Sequence, residues 1–202
     1  MPRPNRICPD GVLQHVFNRG NRRSRIFHGT EDYLGFLAAL TDAADRTVVR
    51  LVSYCLMPNH WHLVLWPVRG IEVSAYMQVA MNAHLRDLQR RHGTSGTGHV
   101  YQGRFKNSAI RTDRDFFNVC RYVEANALCA GLVQRAEQWE WSSLARSGPA
   151  DGINILSPWP VARPVNWLDE VNRPQTNRVV REIKKQLRRQ TRLLTDRIGT
   201  PN

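Results

Sequence analysis

Two histidines, His60 and His62, flank a single tryptophan inside an apolar run that ends at Trp66. Successive side chains of a β-strand point to opposite faces, so both imidazoles would share one face while Trp61 points to the other. Two imidazoles about 7 Å apart on a stiff strand can converge on one divalent metal ion or one phosphate group. The same spacing also fits an ordinary polar face, so other residues must decide between the two interpretations.

A tyrosine and an amide four residues apart form the second candidate group. On a helical wheel, Tyr122 and Asn126 lie together at the edge of an apolar stripe formed by Phe116, Val119, Cys120, Val123 and Ala127. Two neutral imidazoles and an amide oxygen can hold a divalent ion that keeps positions open for phosphodiester oxygens. A phenol has a pKa of about 10, and a nearby cation favours the phenolate that would attack phosphorus.

Cysteine suggests a competing metal site, which we reject. The four cysteines are scattered without a CxxC pair, a pattern typical of free thiols in a reducing cytosol. On one extended strand, Cys55 would lie on the face opposite His60 and about 16 Å away.

No apolar segment reaches the roughly 18 residues of a membrane span, and the N-terminal residues lack the apolar core of a secretory signal. We therefore expect a cytoplasmic protein with no membrane association.

The chain is strongly basic, with 29 lysines and arginines against 17 acidic residues and a formal charge of +12. A charge of this size points to nucleic acid or an anionic surface, and it makes a small-nucleotide substrate less favourable. Arginine, which outnumbers lysine greatly, matches phosphate oxygens with a planar fork and stacks on bases.

The hydrophobic patterns predict an α+β fold. Strands are predicted at 12–20, 48–55, 61–67 and 104–111, and helices at 31–46, 74–91 and 113–129. Thr30 is the expected N-cap of the first helix, and Pro58-Asn59 is the expected turn of a hairpin whose second strand begins with the histidines. The order predicts a ferredoxin-like or RRM-like antiparallel sheet with the first two helices on one face and the tyrosine helix after the fourth strand.

Composition divides the chain into three parts. Residues 1–147 form the predicted catalytic domain, and residues 148–172 form a linker rich in proline and glycine. Residues 173–202 form a basic tail with an amphipathic helical pattern. The tail could bind the stem of a nucleic-acid hairpin or cover the active site, and both interpretations remain open.

Five motifs in the same order resemble the REP-associated tyrosine transposases, which are single-tyrosine HUH transposases of the small insertion-sequence type. They are NRGN at 18–21, MPNHWHLVL at 57–65, QGRFK at 102–106, RYVEANALCAGLV at 121–133 and WSSL at 141–144. The resemblance implies cleavage and rejoining of single-stranded DNA near hairpins, with Mg2+ or Mn2+ and a covalent phosphotyrosine. It implies His60, His62 and Asn126 as metal ligands and Tyr122 as the nucleophile, and it favours a monomer over a homodimer.

Clusters of cations mark the expected DNA contacts. Four arginines follow the first strand, and three further cations lie on the predicted fourth strand: Arg19, Arg22, Arg23 and Arg25, then Arg104, Lys106 and Arg111. Phe105 or Tyr101 could stack an unpaired base. Glu124 and Glu140 are acids near the predicted site that surface pairing explains equally well.

Two other functions compete with strand transfer. The first is a hairpin-binding protein for DNA or RNA, derived from a transposase, that does not cut. The second is a metal phosphoesterase of small nucleotides. The first predicts undiminished hairpin affinity without cleavage, and the second predicts turnover of nucleotides without a covalent adduct.

Overall fold

The computed structural model describes residues 8–93, 98–145 and 155–196. Within the predicted linker at 148–172, the first seven residues lie outside the described part, and so does the end of the predicted tail after residue 196. Among the described residues, no helix combines the length and the apolarity needed to cross a membrane.

A four-stranded antiparallel sheet forms the centre of the molecule. Its strands are β1 (Gln14–Arg19), β2 (Val49–Met57), β3 (His60–Pro67) and β4 (Lys106–Ala109), in the spatial order β2-β3-β1-β4. Pro58 and Asn59 form the tight turn between β2 and β3, so the histidines begin the second strand of the hairpin as predicted. The ferredoxin-like arrangement is thereby confirmed.

Two helices cover one face of the sheet. They are α1 (Thr30–Asp45) and α2 (Ile71–His92), and they pack on Val16, Trp61 and Leu63. Thr30 is the first residue of α1 rather than its N-cap, a position that extended Gly29 occupies. Gly93 ends α2 with a φ of 61°, a left-handed conformation that glycine adopts without steric cost.

The opposite face is covered by α3 (Asp113–Glu124), whose N-cap Thr112 accepts a hydrogen bond from the backbone N–H of Asp115 at 3.1 Å. The predicted single helix at 113–129 is interrupted at Ala125, whose ψ of 1° departs from helical geometry, and it resumes as α4 (Asn126–Cys129). Asn126 therefore begins a new short helix directly after the one that carries Tyr122.

Two C-terminal helices pack on the α3 side of the sheet. In α5 (Trp167–Asn172), Trp167 and Val171 are buried in the same core cluster as α3. The basic tail forms α6 (Asn177–Asp196), which contacts β4 and α3. Strand β4 is shorter than the predicted strand at 104–111, so Arg104 and Arg111 lie outside it.

Candidate active site

A cavity of about 540 Å³ opens between the sheet and the helices on the α3 side. The sheet contributes its floor, α3 and α4 contribute one wall, and α6 contributes another. The lining residues that bear on function are Phe17, Arg19, His60, His62 and Lys106 from the sheet, Tyr122 and Asn126 from α3 and α4, and Val180, Lys184 and Leu187 from α6. The two predicted histidines, the tyrosine and the amide therefore meet in one place.

His60 lies between two asparagines. Its Nδ1 atom is 2.6 Å from Oδ1 of Asn59, and its Nε2 atom is 3.1 Å from Oδ1 of Asn126. When Nδ1–H donates to Asn59, Nε2 carries a lone pair that faces the lone pairs of the Asn126 oxygen. Adjacent ligands of an octahedral divalent ion are about 3.0 Å apart, because its bonds are about 2.1 Å long. The separation of these two atoms fits a shared cation.

His62 is buried deeper than His60, and aromatic rings surround it. Its imidazole stacks on Phe17 with ring centroids 4.7 Å apart, and its Nδ1 atom is 2.9 Å from Nε2 of His15. Burial holds the pKa of His62 well below its usual range, and His15, His60 and Lys184 lower it further. Burial is also the main cause of the lowered pKa of His60. Both imidazoles are thus kept neutral, which is the form that binds a metal.

Tyr122 lies against the histidines of the same chain. Its ring centroid is 5.3 Å from that of His62 and 5.9 Å from that of His15, both in edge-to-face geometry. Burial raises the pKa of Tyr122 above its ordinary value, and the side chain of Asn126 only partly opposes this effect. The phenol is therefore neutral near pH 7, and its ionisation requires a neighbouring base or cation.

His60, His62 and Asn126 offer two neutral nitrogens and one neutral oxygen, a donor set that can hold a divalent metal ion. Within the described ranges, no group of three or more His, Cys, Asp or Glu side chains could hold a metal ion. The amide of Asn126 is therefore essential to a three-ligand set at this place.

Cys55 does not lie where its position on one extended strand predicted. The β2–β3 hairpin pairs Cys55 with His62, so the Cys55 side chain lies on the same sheet face as the histidines and not on the opposite face. The zinc site is still disfavoured, because Sγ of Cys55 lies 3.8 Å from Sδ of Met57 and burial raises the pKa of the thiol.

The predicted DNA contacts separate into two groups. Arg19, Arg23 and Lys106 line the cavity. The other four arginines are exposed and do not line it: Arg22, Arg25, Arg104 and Arg111. Arg25 instead lines a second cavity of about 340 Å³ that also includes His28 and His92.

The expectation that Phe105 or Tyr101 stacks a base is wrong. Both rings belong to the buried core on the α1 and α2 side, because the chain before β4 turns inward there. The Tyr101 hydroxyl accepts a hydrogen bond from Nε1 of Trp61 at 3.1 Å, and it lies 2.7 Å from Nδ1 of His84. Neither ring presents a face to an unpaired base.

Glu124 is a buried structural acid rather than a surface one. Its Oε1 atom accepts hydrogen bonds from the hydroxyls of Ser53 at 3.0 Å and Ser143 at 2.9 Å. Its Oε2 atom accepts one from Nε1 of Trp167 at 2.7 Å. The carboxyl thus ties β2, the WSSL segment and α5 to the helix that carries Tyr122. The WSSL motif is a signal that could have indicated this network.

His15 and Lys184 were also missed as members of the site. His15 follows the alternation of the first strand, which places it on the face of the histidines once β1 pairs with β3. Lys184 lies more than 120 residues after His62, and only the packing of α6 brings it to the cavity wall. Nothing in the local sequence pattern indicates that packing.

The antiparallel sheet, with two helices on one face and a basic cavity on the other, defines an α+β protein. Residues 10–126 match the family described as Transposase IS200 like. The match spans more than half of the chain, and the protein belongs to this family.

Two further comparisons agree with this assignment. A Haemophilus influenzae protein described as a REP-associated tyrosine transposase is 22% identical over 129 residues, which cover 59% of this chain and 73% of the relative. The solved structure of a REP-associated tyrosine transposase bound to a REP hairpin superposes with a TM-score of 0.59 at 21% identity. That alignment covers 82% of this chain and 93% of the other, and it supports the shared fold.

Proposed function

We propose that this protein is a metal-dependent endonuclease and strand transferase that cleaves and rejoins single-stranded DNA near hairpins. One cluster carries the proposal: the ring centroid of Tyr122 lies 5.3 Å from that of His62, and Oδ1 of Asn126, which lines the same cavity, lies 3.1 Å from Nε2 of His60. A nucleophile and three candidate ligands of a divalent ion thus share one cavity.

Tyr122 would act as the nucleophile. Its Oη atom would attack the phosphorus of a phosphodiester, so that an Oη–P bond forms while the bond from phosphorus to one sugar oxygen breaks. The phenol loses its proton and the released sugar oxygen gains one, so the protons balance, and the protein keeps the phosphate as a phosphotyrosine. This intermediate conserves a phosphodiester bond for rejoining, which suits strand transfer better than hydrolysis.

His60, His62 and Asn126 would hold the divalent ion, Mg2+ or Mn2+. When bound, such an ion polarises a phosphoryl oxygen and favours ionisation of a nearby phenol. The residues themselves contribute orientation, since Asn59 fixes one imidazole and His15 contacts the other. Asn126 contacts His60 and lines the same cavity as Tyr122, so it would help to set the distance between the ligand group and the nucleophile.

Hairpin-bearing single-stranded DNA would be the partner. The formal charge of +12 and the four cations that line the cavity, Arg19, Arg23, Lys106 and Lys184, support a polyanionic substrate. The relative solved with a REP hairpin supports the same class of substrate. Because Tyr122 and both histidines belong to one chain, we propose that a monomer suffices for cleavage.

A covalent adduct provides the test. The full chain would be incubated with a labelled single-stranded oligonucleotide that carries an imperfect hairpin, in the presence of Mg2+ or Mn2+, and separated on a denaturing gel. We expect a labelled protein band for the wild type and none for Tyr122→Phe. The matched control is Tyr33→Phe, which removes a phenol hydroxyl on the opposite side of the sheet and should retain the adduct.

The competing functions predict other results. Hairpin binding without an adduct under any divalent metal would favour a binding protein that does not cut. Turnover of nucleotides without an adduct would favour a phosphoesterase. An adduct of normal yield in Tyr122→Phe would show that another residue is the nucleophile.

A further inference from the structure

His15 is a buried histidine that contacts one of the candidate metal ligands. It lies on β1, and its side chain shares the sheet face of His62 because Phe17, two residues further along the strand, pairs with His62. Its Nε2 atom is 2.9 Å from Nδ1 of His62, and the two ring centroids are 5.0 Å apart. The side chain of His15 is completely buried.

The contact restricts where His62 can carry its proton. A hydrogen bond between two imidazole nitrogens requires one hydrogen, which belongs either to Nδ1 of His62 or to Nε2 of His15. If His62 donates, its own Nε2 atom keeps a free lone pair. If His15 donates, the proton of neutral His62 must lie on Nε2, and the nitrogen left for a metal is blocked.

His15 also retains a polar atom that its surroundings do not satisfy. Its Nδ1 atom is buried and has no hydrogen-bond partner among the described residues. This holds for either position of the shared proton, so the imidazole leaves a buried nitrogen unsatisfied in both arrangements. An apolar side chain would fill the same place without that deficit, and the contact with His62 is what distinguishes histidine there.

We propose that His15 is a positioning residue, which accepts a hydrogen bond from Nδ1–H of His62 and thereby leaves Nε2 of His62 available as a metal ligand. The proposal rests on the metal-dependent function proposed above. Metal-bound histidines commonly donate their second ring N–H to an acceptor, and loss of such an acceptor weakens metal affinity by about 10- to 100-fold.

Nuclear magnetic resonance of the 15N-labelled, metal-free protein tests the tautomer directly. We expect the proton of His62 on Nδ1 in the wild type and its redistribution toward Nε2 in His15→Leu, which fills the site without an acceptor. His15→Gln, whose amide oxygen can reach the position of Nε2, should restore the wild-type tautomer. A wild-type His62 protonated on Nε2, or an unchanged tautomer in His15→Leu, would overturn the proposal.

Mn2+ binding, measured by electron paramagnetic resonance without DNA, is the second readout. We expect affinity about 10- to 100-fold weaker in His15→Leu and a partial recovery in His15→Gln. The control is His84→Leu. His84 is also buried, makes one hydrogen bond and has one unpartnered nitrogen among the described residues, but it belongs to α2, on the other side of the sheet. Equal Mn2+ affinity in His15→Leu and the wild type would overturn the role in metal binding.

The two proposals can fail separately. If the wild type forms no adduct but the tautomer of His62 depends on His15, the proposed function fails while the positioning contact stands. If the adduct forms but the tautomer does not depend on His15, the proposed function stands and the positioning role is overturned.

Discussion

The Nε2 atom of His60 lies 3.1 Å from the Oδ1 atom of Asn126, although 66 residues separate them in sequence. The contact joins the first residue of β3 to the first residue of α4. The helix is interrupted at Ala125, so α4 starts at Asn126 directly after the helix that carries Tyr122. The amide therefore connects the candidate ligand group with the candidate nucleophile.

Replacement of Asn126 by alanine should raise the metal concentration that the reaction requires. Loss of a residue that only orients a ligand weakens metal affinity by about 10- to 100-fold, so loss of a direct ligand should cost no less. We expect Asn126→Ala to raise the Mn2+ concentration needed for half-maximal adduct formation by at least about 10-fold. Asn126→Asp, which keeps an oxygen at the same distance, should remain closer to the wild type.

The matched control for this experiment is Asn118→Ala on α3. Its backbone carbonyl, not its side chain, accepts the hydrogen bond from Gln175 at 2.9 Å, and it does not line the cavity. Equal metal requirements for Asn126→Ala and Asn118→Ala would contradict a ligand role for Asn126.

A mixture of two inactive variants should stay inactive if each chain completes its own site. Tyr122 lies 5.3 Å from His62 of the same chain, measured between ring centroids. We therefore expect an equimolar mixture of Tyr122→Phe and His60→Ala to form no adduct on a denaturing gel. A mixture of wild type and Tyr122→Phe, as the control, should form adduct in proportion to the wild-type protein. Recovery of adduct in the first mixture would instead require a site shared between two chains.

Local patterns predicted the parts of this protein that local geometry determines. The alternation around His60 and His62 and the turn at Pro58-Asn59 were sufficient for the hairpin, and the element order was sufficient for the sheet. The single helix expected at 113–129 was wrong at Ala125, because alanine favours helices and gives no signal of the break. The predicted sheet face of Cys55 was wrong because the β2–β3 hairpin, and not one extended strand, determines which side chains lie beside it.

Residues positioned by distant packing could not be predicted. Phe105 is an aromatic residue among cations, as a base-stacking residue would be. Its ring is buried instead, and this burial depends on helices that lie far away in the sequence. His15 and Glu124 are ordinary polar residues until β1 pairs with β3 and α5 packs on α3. Tertiary contacts of this kind leave no periodic signature in the sequence.

Removal of a cation from the cavity should reduce the salt dependence of DNA binding. Arg19 and Lys106 line the cavity on neighbouring strands. Each phosphate contact on single-stranded DNA contributes about 0.7 to the slope of log K against log salt. We expect Arg19→Gln and Lys106→Gln each to reduce the slope by about that amount in fluorescence anisotropy titrations at several NaCl concentrations.

The control for the salt experiment is Arg46→Gln. Arg46 lies directly after α1, which covers the opposite face of the sheet, and it pairs with Asp42 of that helix at 2.8 Å. Arg46→Gln removes one positive charge, as Arg19→Gln and Lys106→Gln do, so the comparison separates a local DNA contact from the effect of net charge. An equal change of slope in all three variants would contradict a specific DNA contact in the cavity.

Glu124 should make the stability of the wild type fall with rising pH relative to a neutral variant. Burial raises the pKa of Glu124 above its ordinary value near 4.5, although hydrogen bonds from Trp167, Ser143 and Ser53 and the charge of Arg163 oppose this effect. Between the two pKa values, the folded protein holds a proton that the unfolded chain has released. The stability contributed by the protonated carboxyl is therefore present below the unfolded pKa, and it is lost as pH rises through the folded pKa. We expect the free energy of unfolding in urea, taken as wild type minus Glu124→Gln, to be largest below pH 4.5 and to decline above it. The decline should be about 1.4 kcal/mol for every pH unit that separates the unfolded from the folded pKa. A difference that grows as pH rises would mean that the carboxylate, held by its three donors, is the more stable buried form.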